Sequence, residues 1–128
     1  FSAYLEILKK ETPNLIVCGD YNICHKAIDI HDPVRNKNVS GFLADERAWM
    51  DRLVNQGFVD SFRELNQEPH QYSWWSYRAN SRANNKGWRI DYQSVTEKVE
   101  AASERKGGSG KCLRARARIN GESLAKTT

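Results

Sequence analysis

The spacing of apolar residues at the start of the chain predicts a helix followed by a strand. Four apolar residues recur at i, i+3, i+4 and i+7, which is typical of one helix face, and Pro13 ends the pattern. They are Phe1, Tyr4, Leu5 and Leu8. Residues 14–18 then form a short apolar run, which predicts a strand that is buried on both faces. A helix followed by a buried strand favours an α/β architecture.

Further helices and strands are predicted up to about residue 95. Residues 44–56 have a helical apolar period, and Gly57 follows as a typical C-terminal stop. Residues 58–65 predict a short turn or helix. The aromatic run at 72–77 and the alternating run at 88–95 predict two strands of one pair, joined by a polar loop.

Charge and composition divide the chain near residue 100. The net charge is +4, but residues 1–100 hold 13 Lys and Arg against 14 Asp and Glu, whereas residues 101–128 hold 7 against 2. All 13 aromatic residues lie in the first part. We therefore predict a folded part at 1–98 and a basic, disordered tail at 99–128. The overall basicity is weak evidence for DNA binding, because it resides in a tail without stacking side chains.

Several classes of protein are disfavoured by composition. No apolar run approaches the roughly 20 residues of a spanning helix, so no membrane partner is expected. The cysteines are Cys18, Cys24 and Cys112, an odd number without paired spacing. This argues against a disulfide framework and against a structural zinc site, and favours a reducing compartment.

Two groups of polar residues follow predicted strands and are candidates for chemistry. Asp20 and Asn22 come directly after the apolar run, where a carboxylate can orient water or bind a hard cation and an amide can donate to phosphate. The alternative for Gly19-Asp20 is an ordinary turn. Strand alternation puts Arg89 and Asp91 on one face, either as a structural ion pair or with Asp91 orienting a catalytic imidazole or metal-bound water.

Six motifs in order along the chain resemble one known family. They are GDYN, IDIHDP, SGF followed by ER, DSFR, YSWWSYR and NNKGWRIDY. Together they are similar to the exodeoxyribonuclease III and AP endonuclease family, within the endonuclease/exonuclease/phosphatase superfamily. The likeness covers most of residues 1–95.

This resemblance implies a fold and a reaction. The fold is α/β, a four-layered sandwich of two β-sheets flanked by helices, of which this chain would form a part. The reaction is cleavage of DNA phosphodiesters, 5′ to an abasic site or from a 3′ end, with Mg²⁺ or Mn²⁺. The expected partner is double-stranded DNA, the expected state a monomer, and the expected location the cytoplasm, in bacterial nucleoid-associated DNA repair.

The resemblance also implies roles for individual residues. Asp20 matches the catalytic Asp that activates water and Asn22 the neighbouring phosphate-binding Asn, and both are candidate metal ligands. Asp91 matches the Asp that orients the catalytic His. The expected substrate-binding residues form a phosphate-contacting loop, a side chain inserted into the duplex and a pocket for the extruded sugar. They are Arg35, Asn36, Asn38, Ser40, Trp74, Arg78, Trp88, Arg89 and Ile90.

The chain departs from the family pattern at two places. The Ser-Asp-His motif that supplies the catalytic His is missing after residue 92, since the histidines are His25, His31 and His70. The N-terminal half that carries the Asn and Glu metal ligands has no counterpart. We therefore expect the C-terminal half of such a nuclease, without activity by itself. Alternatives are a noncatalytic DNA-binding remnant, a phosphatase branch of the superfamily, or a chain with no function of its own.

Overall fold

The computed structural model describes residues 1–97 and, further on, only the short strands Arg118–Ile119 and Glu122–Ser123. The predicted disordered tail lies largely outside the described residues. The elements are helices α1 to α3 and strands β1 to β7, with one 3₁₀ turn at Ala27–Asp29. In chain order they are α1 Ser2–Glu11, β1 Ile16–Asp20, α2 Ala44–Asn55, β2 Phe58–Asp60, α3 Ser61–Leu65, β3 Trp74–Trp75, β4 Gly87–Trp88, β5 Asp91–Thr96, β6 Arg118–Ile119 and β7 Glu122–Ser123.

The two long helices form where the apolar periods predicted them. In α2, Glu46 accepts hydrogen bonds from the backbone N–H groups of Gly41 and Leu43, which fixes the start of the helix. In α1 the predicted apolar face is only partly used: Leu5 is buried, while Phe1 and Tyr4 are 66% and 60% exposed. Helix position was therefore predictable from periodicity, but the burial of each apolar residue was not.

Three antiparallel strands form the main sheet, in the order β1-β5-β2. The prediction that the first strand is buried on both faces is wrong, because Ile16 is 60% exposed and Cys18 is also exposed. Val17, which points to the opposite face, packs against the cluster of Leu5, Leu53 and Phe58. Helices cover one face of β1 in the described residues, so alternate side chains on the other face stay in solvent.

The predicted strand at 88–95 is interrupted, which corrects the expected strand pair. Residues 87–88 pair with β3, whereas β5 begins at Asp91 and pairs with β1 and β2. The break has a local cause: the Ser73 hydroxyl accepts hydrogen bonds from the backbone N–H groups of Ile90 and Asp91, at 3.0 and 3.2 Å. The chain thus passes from the small sheet to the main sheet within two residues.

Many of the buried apolar residues belong to one of two clusters. One contains Leu5, Leu53 and Phe58. The other contains Cys24, Ile30, Phe42 and Ile90, with Trp88 packed against it. Among the described residues there is no helix with the length and apolarity needed to span a membrane.

A salt-bridged trio ties the long loop after β1 to helix α2. The carboxylate of Asp51 lies 2.7 Å from both His25 Nε2 and Lys26 Nζ. Hydrogen bonds from Lys26 and His25 lower the pKa of Asp51 from 3.8 to about 2. This contact is therefore favourable above the ordinary carboxyl pKa and is lost as the pH falls toward 2.

We predict that Asp51 contributes to the acid sensitivity of the fold. Since the folded-state pKa is depressed from 3.8 to about 2, its contribution is complete above pH 3.8 and disappears between those two values. The check is the urea midpoint of the chain and of Asp51→Asn, measured from about pH 6 to about pH 2. Asp51→Asn should lower the midpoint near neutral pH and flatten its fall in acid. Parallel curves for the two proteins would contradict the prediction.

Candidate active site

Two carboxylates face each other at the end of the main sheet. Asp20, the last residue of β1, is the register partner of Asp91, the first residue of β5, and both are exposed. Directly opposed residues of an antiparallel pair project to the same face, so the two side chains are neighbours. The strand register thus brings together two residues that are 71 positions apart.

Asn22 is held next to this pair by a tight turn. The Asp20 Oδ1 atom accepts a 2.9 Å hydrogen bond from the backbone N–H of Asn22, whose φ of 54° lies in the left-handed region. The turn expected for Gly19-Asp20 therefore exists, and it leaves the Asn22 side chain exposed. The second carboxylate oxygen of Asp20 remains on the same surface.

A buried tyrosine holds the segment after this turn in place. The Tyr92 hydroxyl donates to the carbonyl of Ile23 at 2.8 Å and accepts from the backbone N–H of His25 at 3.0 Å. Burial raises the pKa of Tyr92, so the phenol keeps its proton and its role as a donor. The backbone N–H of Tyr21 donates to the carbonyl of Ile90 at 2.8 Å. The Asn22 turn is thereby fixed to the chain that leads into Asp91.

Two tryptophans form an aromatic surface on the small sheet. Trp74 and Trp88 are cross-strand partners, with ring centroids 6.3 Å apart in an edge-to-face arrangement. Trp74 is 42% exposed, whereas Trp88 is half-buried over the apolar cluster that includes Ile90. Trp75 instead donates its indole N–H to Asn85 at 3.0 Å. The two aromatic candidates Trp74 and Trp88 therefore lie together, and Ile90 belongs to the cluster against which Trp88 packs.

Gly41 connects the tryptophan pair to the carboxylate pair. Its φ is 96°, and a Cβ atom built there would lie 2.8 Å from the Trp88 ring and 3.1 Å from the carbonyl oxygen of Asn22. A glycine is required by this close approach. The buried Gly41 therefore packs between the Trp88 ring and the turn that carries Asn22.

Ser73 is a site-forming residue that sequence reasoning missed. Its hydroxyl accepts from the backbone N–H groups of Ile90 and Asp91, and its own N–H donates to the carbonyl of Trp88 at 3.0 Å. One small side chain thus sets the backbone positions of both Ile90 and Asp91. Its only sequence signal was its place inside the aromatic run.

Arg89 lies beneath the surface, in ion pairs with residues other than the expected Asp91. It is 4% exposed, and its guanidinium bonds to Asp29 at 2.8 Å and to Asp60 at 2.5 Å. Its partner is therefore not Asp91, which is exposed, because the strand alternation expected across residues 89–91 is broken by the crossing between sheets.

The predicted phosphate-contacting loop is folded back on itself. The amide of Asn36 donates to the carbonyls of His31 and Asp32, and the Ser40 hydroxyl donates to Glu46. Arg35 and Asn38 are exposed. Arg78, the residue expected to enter the duplex, is exposed at the base of a loop in which Ala79 and Asn80 both have positive φ values. Exposed cations lie in both loops: Arg35 and Lys37 in the first, and Arg78, Arg82 and Lys86 in the second.

Asp20 also borders an open groove of about 540 Å³. The groove is lined by apolar residues that include Phe1, Tyr21, Ile23 and Trp49.

A metal centre is not complete within the described residues. In this part of the chain, no group of three or more His, Cys, Asp and Glu side chains lies close enough to hold an ion. Asp20, Asn22 and Asp91 offer oxygen donors of the type that Mg²⁺ prefers, and Mg²⁺ usually completes its octahedral shell with waters and substrate phosphate. These side chains would therefore supply part of a Mg²⁺ shell and not all of it.

Comparison with known proteins decides the family. The model of the endonuclease/exonuclease/phosphatase family matches residues 1–109. The chain belongs to this family. Its α/β fold agrees with that of solved family structures. One of these is a Neisseria 3′ phosphatase, NExo, bound to a product DNA hairpin, with a TM-score of 0.75, 26% identity, and coverage of 78% of this chain and 39% of that one.

Similar members of the family include nucleases of DNA repair. The chain is 44% identical over 106 residues to an exodeoxyribonuclease of Bacillus subtilis, which covers 79% of this chain and 42% of that protein. It is 43% identical over 93 residues to the DNA repair nuclease APEX1 of Danio rerio, with coverage of 72% and 30%. The chain therefore spans about two fifths or less of the length of these relatives.

The close approach at Gly41 yields a prediction for this family member. Gly41→Ala should destabilise the fold by about 1–3 kcal/mol, because the new methyl group meets the Trp88 ring and the backbone φ is strained. The matched control is Gly19→Ala, where a Cβ would meet nothing nearer than 4.0 Å and the change should stay within about 0.5 kcal/mol. Urea unfolding measures both, and equal effects would show that Gly41 is not constrained.

Proposed function

We propose that this chain is part of a Mg²⁺- or Mn²⁺-dependent DNA repair nuclease that cleaves phosphodiesters 5′ to abasic sites and from 3′ ends. We propose further that the chain alone binds DNA without cleaving it. The observation that carries the proposal is the facing pair of exposed carboxylates, Asp20 and Asp91, at the end of the main sheet. The Trp74–Trp88 pair lies on the small sheet, and Gly41 packs between the Trp88 ring and the Asn22 turn. Membership of a family with DNA repair nucleases supports it.

The carboxylate pair suits phosphodiester hydrolysis. Asp20 is exposed and can accept a proton from an attacking water, while the Asn22 amide can donate to a phosphate oxygen without adding charge. Like charges directly opposite each other on a sheet are unfavourable. The pair therefore favours a cationic partner between or beside the two carboxylates, such as a protonated imidazole oriented by Asp91.

The tryptophan pair suits an extruded abasic sugar. An apolar wall formed by Trp74, Trp88 and Ile90 gains by contact with a deoxyribose that lacks a base, and a small pocket discriminates against an intact nucleotide. Arg35, which precedes Trp74 in the sequence, and Arg78, which lies between Trp74 and Trp88, are both exposed. Both can supply positive charge for backbone phosphates. Double-stranded DNA is therefore the proposed partner, and chromosomal DNA in the cytoplasm the proposed setting.

The proposed lack of cleavage by the chain alone follows from what the described residues contain. In this part of the chain, no three or more His, Cys, Asp and Glu side chains lie close enough to hold a metal ion, and the histidine side-chain contacts seen there are with residues other than Asp91. His25 is bound to Asp51, and the His70 ring contacts Tyr72. Without a cation opposite the developing negative charge, the transition state is not stabilised.

Binding tests the pocket with the chain as it exists. We predict that it binds a duplex containing a tetrahydrofuran abasic analogue more tightly than an intact duplex. Trp88→Ala should reduce this preference by about tenfold or more, because an apolar contact worth roughly 1.5–3 kcal/mol is lost. Trp49→Phe, on α2 beside Phe1 and Tyr21, is the control. Fluorescence anisotropy at several salt concentrations is the measurement, and no preference in the unmodified chain would reject the pocket.

Incision tests the catalytic assignment. The chain with Mg²⁺ should not nick the abasic duplex. In a longer form of this domain that does nick it, Asp20→Asn should lower the rate by about 10²- to 10⁴-fold, because shape is kept and the proton acceptor is removed. Asp45→Asn, an exposed change at the start of α2, should leave the rate unchanged. Near-normal cleavage by a folded Asp20→Asn variant would overturn the role of Asp20.

A further inference from the structure

Three of the sequence motifs contribute to one buried group of charges, which we call the charge cluster. Its members are Asp29, Asp60, Arg63 and Arg89. Their side chains are 1%, 14%, 12% and 5% exposed, respectively. They come from IDIHDP, DSFR and GWRIDY, and the first two of these motifs contain none of the candidate site residues. A buried cluster assembled from separate motifs requires a physical explanation.

The charges in the cluster are fully paired. Asp29 Oδ1 accepts from Arg89 Nε at 2.8 Å and from Arg63 Nη2 at 2.7 Å, while its Oδ2 accepts from the backbone N–H of Lys26 at 3.0 Å. The two terminal nitrogens of Arg89 donate to the two oxygens of Asp60 at 3.2 and 2.5 Å. Two cations and two anions leave no net charge.

Stability alone is a weak reason for such a cluster. Buried ion pairs lose their hydration, and apolar residues of similar size often stabilise a fold as well or better. The cluster instead fixes the relative orientation of its members, because the planar guanidinium of an arginine donates hydrogen bonds in fixed directions. Burial alone would raise the pKa of Asp29, but hydrogen bonds from Arg89 and Arg63 lower it, so Asp29 stays ionised and keeps this geometry.

The cluster is bonded to the segment at residues 88–90, where the chain crosses between the two sheets. Besides the side-chain contact, the backbone N–H of Arg89 donates to the carbonyl of Asp29 at 2.8 Å. Ile30 forms a β-bridge with Trp88, and the Tyr92 hydroxyl oxygen lies 3.2 Å from the carbonyl oxygen of Arg89. The residues on either side of Arg89 are Trp88 and Ile90, and Asp91 follows.

We propose that Arg89 is a positioning residue that, held by Asp29 and Asp60, sets Trp88 and Asp91 in their places on the candidate site. The assignment of Trp88 and Asp91 to a DNA-binding site rests on the proposed function. The positions of the two residues can be measured without DNA. Asp29 and Asp60 thus influence the site by holding Arg89 inside the protein, and neither residue needs to contact a substrate.

The experiment perturbs the cluster from its far end and observes the tryptophans. Asp60→Asn keeps the size of the side chain but halves the anionic charge facing Arg89, and it lies 28 residues from Trp88 in sequence. In the labelled chain, nuclear Overhauser contacts between the Trp74 and Trp88 rings report their edge-to-face packing. Those between Tyr21 and Trp49, whose centroids are 6.1 Å apart, serve as the internal reference.

The expected result is loss or weakening of the Trp74–Trp88 contacts and a shift of the Asp91 amide resonance, while the Tyr21–Trp49 contacts persist. Arg89→Lys, which keeps the charge but not the fork, should give the same pattern, and Asp45→Asn should give none of it. A lower unfolding midpoint with all contacts intact would overturn the proposal. Unfolding of both cluster variants would also overturn it, because a purely positioning group leaves the fold in place. Failure of abasic DNA binding in the unmodified chain would reject the proposed function and leave this measurement unaffected.

Discussion

The central position of β5 is the constraint on which the rest of the structure depends. This strand pairs with β1 on one side and with β2 on the other, so its register fixes both neighbours. With β1 the register places Asp20 opposite Asp91; a slip by one residue would turn one carboxylate to the other face. The helix-side contacts of Val17 and Phe58 hold that register, because a slip would expose them. The same strand register therefore fixes both the core packing of β1 and the position of Asp20 opposite Asp91.

The crossing at residues 89–90 is the second determinant. The backbone leaves the small sheet after Trp88 and enters the main sheet at Asp91, and in between its polar groups need other partners. Ser73 and Asp29 supply them, one from each side. Because the same short segment carries a pocket residue and a carboxylate, the groups that satisfy its backbone also determine the distance between the two halves of the site.

Apolar residues differ widely in burial from one part of the structure to another. Trp88 and Ile90 pack on a closed cluster, whereas Phe1, Tyr4 and Ile16 remain largely in solvent. Leu5, Leu53 and Phe58 form the other buried cluster, against which Val17 packs. One cluster thus supports the crossing between the sheets, and the other holds the helices against β1.

The sequence by itself determined the helices at α1 and α2, the strand before Asp20 and the family, because these depend on local periodicity and on short motifs in order. It also singled out Asp20, Asn22, Asp91, Trp74 and Trp88, whose roles stay predictions. Only the tertiary structure decided that β5 pairs with β1 and β2 and not with β3, the partner of Trp88. It also decided that Ile16 is exposed and that Arg89 is buried against Asp29 and Asp60. The reason is that strand partners and ion pairs form between residues far apart in the chain. Alternation within 88–92 carries no information about the Ser73 hydroxyl that breaks it or about the aspartates that hold Arg89 inside.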